Sequence, residues 1–209
     1  MLINICAKKN LVFLLIIFSL LVFFVSNLKI IDYGLPIFDN SDEGAFTASS
    51  LSYLSAITGI KSNILDPIIA PLINVFLILF LTLLNDFIIG SQNLLEIKNK
   101  FYLNPELFTY YGRIASLIIT TASFSILFLI FKKLKINFLI YFPIFISLLF
   151  SMFANDIAIR NGKNSYYLLF FLLQFYFFLK YFNKIEKFNL KSYIYFALLA
   201  SLAWGTNYW

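Results

Sequence analysis

Histidine is absent from the 209 residues of this chain. That excludes a histidine general base, a Ser-His-Asp triad and a histidine-ligated metal, and leaves carboxylates as the acid and base groups at hand. Cysteine occurs once, at Cys6, so no intrachain disulfide can form. Charge is also scarce, at 12% of residues against 61% hydrophobic, with a mean hydropathy of +0.87. A water-soluble domain carries roughly a quarter charged residues and cannot hide this much apolar surface. These shortages predict an all-α fold, a polytopic bundle of transmembrane helices in a lipid solvent.

The net charge of +6 points to no nucleic acid, because the Lys and Arg residues fall in short groups between apolar segments and never form a long basic face. Those apolar segments lie near 11–31, 67–90, 107–131, 136–154, 165–182 and 192–208, each close to the roughly 20 residues a spanning helix needs. The first follows Lys8 and Lys9 but is long and lacks a small-x-small cleavage site, so it is expected to be an uncleaved anchor.

Six spans violate the positive-inside rule. With Lys8 and Lys9 inside, six crossings would place Lys132, Lys133 and Lys135, and also Lys180, Lys184, Lys187 and Lys191, on the outer face. Removing one crossing before residue 107 brings both clusters inside and puts nine of the ten acidic residues outside, with Glu186 the exception. The segment 67–90 is the one to demote, since it opens with Pro67 and Pro71, contains Asn74 and Asp86, and ends in Gly90. It is expected to lie in or re-enter the outer interface; a sixth true span is the alternative. The predicted organisation of 1–209 is a single membrane domain of about five spans. A first span at 11–31 leads to an outer segment at 32–106 that carries the interfacial helix, and further spans follow at 107–131, 136–154, 165–182 and 192–208.

Two outer stretches carry chemistry. Asp39, Asp42 and Glu43 precede what reads as a short helix through Leu54. Ser41 or Asp42 can cap that helix, with the acids stabilised by its dipole, or a carboxylate there can act as general base on an acceptor. The turn 155–164 joins Asp156 with Arg160 and Lys163; it reads either as a solvated turn or as a phosphate grip, with a planar fork from Arg and a compact charge from Lys. Arg113, just inside the second span beside Tyr110 and Tyr111, can snorkel outward or pair with a carboxylate of the long outer segment.

In order, these features resemble the GT-C glycosyltransferases that use polyprenyl-phosphate sugars, especially protein O-mannosyltransferases and lipid A aminoarabinose transferases of glycosyltransferase family 39. The matching elements are Asp42-Glu43 soon after the first span, an interfacial helix, Arg113 opening a span that ends at Lys132 to Lys135, the polar run from Arg160 to Tyr166, and Gly205 to Tyr208. Asn207 stands where the family has Lys, and Asp156 lies several residues earlier than the family's second acid. Family members continue for several more spans, so the resemblance implies an N-terminal fragment.

The resemblance implies inverting transfer of a sugar from a polyprenyl-phosphate donor to a lipid, glycan or protein acceptor, at the outer face of a bacterial inner membrane. It assigns Asp42 as catalytic base with Glu43 beside it in the acceptor site. Arg160, Lys163, Arg113 and Asp156 become substrate-binding residues. It fixes no cofactor and leaves a divalent metal held by carboxylates open, since hard oxygen ligands suit one. Rival expectations are a non-enzymatic membrane protein, such as a transporter fragment or assembly subunit, and an inactive glycosyltransferase remnant. The centres of 136–154 and 165–182 lack ionisable residues, which disfavours a transport path.

Overall fold

The computed structural model describes residues 2–32, 35, 41–57, 69–89, 94–182 and 190–206. Every regular element among them is an α-helix: α1 (Leu2–Leu28), α2 (Ser41–Ile57), α3 (Ile69–Ile89), α4 (Leu94–Leu103), α5 (Pro105–Lys133), α6 (Phe138–Leu149), α7 (Met152–Ile159), α8 (Lys163–Phe182) and α9 (Leu190–Thr206). Two helical stretches, Asn10–Leu28 and Pro105–Lys133, are long and apolar enough to cross a membrane, and the bent pair α6–α7 makes a third if taken as one span.

The local chemistry explains several boundaries. α5 has Pro105 at its start, where a missing N–H costs nothing, Glu106 in its first turn, and Lys132 and Lys133 in its last turn. α6 is capped by Asn137, whose side chain accepts from the Leu139 N–H at 3.2 Å. The bend of 50° in the α6–α7 pair falls after Phe150, not at Pro143 inside α6. Ser151 makes it: its hydroxyl donates to the Leu148 carbonyl at 2.7 Å and accepts from the Ala154 N–H at 3.1 Å, closing one helix and capping the next. Asn155 and Asp156, expected in an outer turn, therefore sit on α7.

α5 is the central post, packing against α1, α2, α3, α4, α6, α7 and α8. Gly112, Ser116, Thr120 and Ser123 recur along its buried side, and small residues at that spacing let neighbouring backbones approach closely. Ser165 near the start of α8 donates to Ser116 at 3.4 Å, and further along Tyr166, Leu169 and Phe170 pack in one apolar cluster with Ile119. α8 thus runs parallel to α5. α1 runs antiparallel, since the Ile31 carbonyl beyond its end meets Arg113 while Ile16 and Phe23 share a core with Leu117, Phe124 and Phe128. Much of α1 faces outward, with Leu11, Leu14, Phe18, Leu21 and Val25 exposed as lipid contact requires.

These directions sort charge by end. Lys132, Lys133, Lys135, Lys180 and the start of α1 lie at one end of the bundle; Asp32, Glu43, Arg113 and Asp156 lie at the other.

α3 is placed by polar contacts near its start. Asn74 meets residues of α2 and α8 at the acidic end, and beyond it Val75 and Ile78 join Ile97, Phe101 and Phe108, from α4 and the start of α5. α4 was not anticipated from sequence, although its buried Ile97 and Phe101 stand four residues apart, with Glu96 in its first turn and Lys100 in its last.

Candidate functional site

Arg113 and Glu43 form the centre of a polar cluster buried at the acidic end. α5 presents Arg113 a little over two turns from its start, and α2 presents Glu43 in its first turn, where the helix dipole favours a carboxylate. Arg113 Nε donates to Glu43 Oε1 at 2.7 Å and Nη2 donates to Oε2 at 2.8 Å, a bidentate fork. Nη1 donates to the Ile31 carbonyl at 3.0 Å, which ties in the end of α1. Both side chains are almost wholly enclosed, at 1% and 2% exposure. Enclosure decides the energetics. Removing one member of such a pair leaves an uncompensated buried charge, which costs about 3 to 5 kcal/mol.

Asn161, in the turn between α7 and α8, joins this pair to the rest. Its backbone N–H donates to Glu43 Oε1 at 2.9 Å, its Nδ2 donates to Thr47 Oγ1 at 3.1 Å, and its Oδ1 accepts from Asn74 Nδ2 at 3.1 Å. Asn74 in turn donates to Ser50 Oγ at 3.2 Å and accepts from the Tyr166 hydroxyl at 2.7 Å. Thr47 and Thr109 hydroxyls lie 3.4 Å apart, and Thr109 donates to the Pro105 carbonyl at 3.2 Å, so Thr47 is the donor between the two. The cluster therefore binds α1, α2, α3, α5 and α8 together through side chains that are each satisfied, the condition under which buried polar groups rigidify a structure.

The expected site residues divide into two groups. Glu43 and Arg113 come together, so Arg113 pairs with a carboxylate of the 32–106 segment and does not snorkel. Arg160 and Asp156 form their own ion pair across one turn of α7, 2.7 Å apart and over a third exposed, an arrangement worth at most about 1 kcal/mol. The groups are neighbours, because Arg160 immediately precedes Asn161 and Lys163 opens α8 two residues later. The Asp42 backbone lies in the first turn of α2 next to Glu43, and its side chain is outside the described residues, as are Lys184 and Lys187. Among the described residues no three Asp, Glu, Cys or His side chains gather as a metal site would require.

Sequence reasoning missed Asn161, Thr47, Asn74, Thr109 and Tyr166 as members of the cluster. Asn74 did carry a signal, as an amide in the middle of an apolar run, because such a group must find a partner when buried. The fold and this cluster define a helical bundle with two or three helices able to cross a membrane and a polar clasp at one end. The chain matches no family model, no curated protein and no solved structure.

Proposed function

We propose that this chain is a membrane-embedded glycosyltransferase of GT-C type, moving a sugar from a polyprenyl-phosphate donor to a hydroxyl acceptor at the outer face of a bacterial inner membrane. The observation that supports it is convergence. Three elements of the resemblance, far apart in sequence, meet through Glu43: the Asp42-Glu43 pair, Arg113 70 residues on, and the polar run after Arg160 through the Asn161 N–H 118 residues on.

In this reading the spans are α1, α5, the α6–α7 pair, α8 and α9, with α3 inserted in the outer half of the bundle. Glu43 is committed to Arg113 and Asn161, so it positions the first turn of α2 and leaves proton abstraction to Asp42. Asp42 takes the acceptor proton, the acceptor oxygen bonds to the anomeric carbon from the face opposite the phosphate, and the bond from that carbon to the phosphate oxygen breaks. The leaving polyprenyl phosphate gains negative charge, which Arg160 and Lys163 stabilise. A single displacement inverts the anomeric centre.

The rival reading, a non-enzymatic membrane subunit, draws on the closed hydrogen bonding of the same cluster, which is also what a purely structural clasp needs. Membranes containing the chain, incubated with radiolabelled polyprenyl-phosphate hexoses and pentoses, separate the two. The enzyme reading expects label in a lipid, glycan or protein fraction and a fall of about 10²- to 10⁴-fold with Asp42→Asn. Absence of transfer by membranes containing the chain would sink it.

A further inference from the structure

We propose that the end of the bundle opposite the clasp is a binding surface for anionic phospholipid, centred on the α5–α6 connection. Within nine residues this connection exposes Lys132, Lys133 and Lys135 together with Leu134, Leu139 and Ile140, the three apolar side chains at 45%, 78% and 59% exposure. Cations and large apolar groups displayed side by side fit an amphiphile: the ammonium groups meet a phosphate headgroup while the leucines and isoleucine meet its acyl chains. A soluble anion would use only half of this surface.

Geometry concentrates the charge there. Lys135 adopts a left-handed backbone conformation with φ of 55°, which ends the helical path directly after α5. The connection to Asn137 is short, and Phe131 and Tyr141 stack across it with ring centroids 5.6 Å apart, so the three lysines are carried on a braced corner. α8 ends at the same face, where the Lys180 ammonium lies over Phe177 and Tyr181 at 5.7 and 5.6 Å from the ring centroids. Asp32, Glu43 and Asp156, by contrast, lie at the opposite end of the bundle. The lysines also complement the negative end of the α5 dipole, but that role needs no exposed apolar neighbours.

The inference is independent of sugar transfer and is tested in detergent on the whole chain. Phosphatidylglycerol and phosphatidylcholine with identical acyl chains are added in equal amounts, and retained lipid is counted by native mass spectrometry. The expected result is preferential retention of phosphatidylglycerol. That preference falls by about five-fold for each lysine changed in Lys132→Gln, Lys133→Gln and Lys135→Gln. The triple Lys→Arg variant keeps it, and so does Lys29→Gln at the other end. Helix content by circular dichroism and a single gel-filtration peak qualify each variant, and the single change Lys135→Gln serves if the triple one does not fold. Equal retention of the two lipids by the parent chain, or an undiminished preference in the Gln variants, would overturn the proposal. So would displacement of the lipid by equimolar glycerol phosphate, which would show a site for soluble phosphate.

Discussion

The side chain of Asn161 fills the space beside Gly112 that any larger residue would occupy: a Cβ at Gly112 would collide with the Asn161 amide. Gly112→Ala is therefore expected to push Asn161 away from Glu43, Thr47 and Asn74 together. We expect a loss of about 1 to 3 kcal/mol of stability, as overpacking produces, read as a lower melting temperature in detergent. Gly162→Ala is the control. A Cβ there meets nothing within 4 Å, so its melting temperature should stay close to the parent's.

The fork between Arg113 and Glu43 predicts strong coupling. Arg113→Gln or Glu43→Gln alone should each destabilise by about 3 to 5 kcal/mol, because each leaves a buried charge or polar group short of its partner. The double change that combines Arg113→Gln and Glu43→Gln should cost less than the sum of the single effects. A double-mutant cycle on thermal unfolding measures this, and additive effects would show that the pair contributes no coupling.

Arg160 is shared between Asp156 and, in the proposed reaction, the donor phosphate. Asp156→Asn should leave stability within about 1 kcal/mol, since the pair is largely solvated. It should also lower KM for the lipid donor by freeing the guanidinium. Arg160→Gln should raise that KM with a smaller effect on kcat. Reversal of the two KM shifts would remove Arg160 from the donor site.

Membrane placement of α3 has its own measurement. In a Cys6→Ser background, Ser41→Cys and Ser91→Cys should both react with a membrane-impermeant thiol reagent from outside. Labelling of position 41 outside and 91 inside would make 67–90 a true span.

Much of the fold was readable because helical membrane proteins write it in composition. Runs of Leu, Ile and Phe set where helices lie, and Pro105, Glu106, Lys132 and Lys133 mark the ends of α5. The break at Ser151 was not readable. Serine inside an apolar run is ordinary, and only the paired use of its hydroxyl by Leu148 and Ala154 turns it into a bend. At the site, Glu43 stood out beside Asp42 and Arg113 as a cation just inside a span, and for Arg113 snorkelling and pairing with some carboxylate of 32–106 were both open. Asn161 was hidden for a different reason. Its importance comes from lying against Gly112 and below Asn74, contacts between residues far apart in the chain that spacing cannot reveal.

The separation of Glu43 from Arg113 bears on how the protein is made. Synthesis proceeds from the N-terminus, so the carboxylate leaves the ribosome 70 residues ahead of the guanidinium. The guanidinium thus emerges with its carboxylate partner already made, and it can be paired as soon as α5 forms. Asn161, which trails Glu43 by 118 residues, is the last of the three to be made. Reversing the charges, with Arg at 43 and Glu at 113, would preserve the attraction but deliver the cation first.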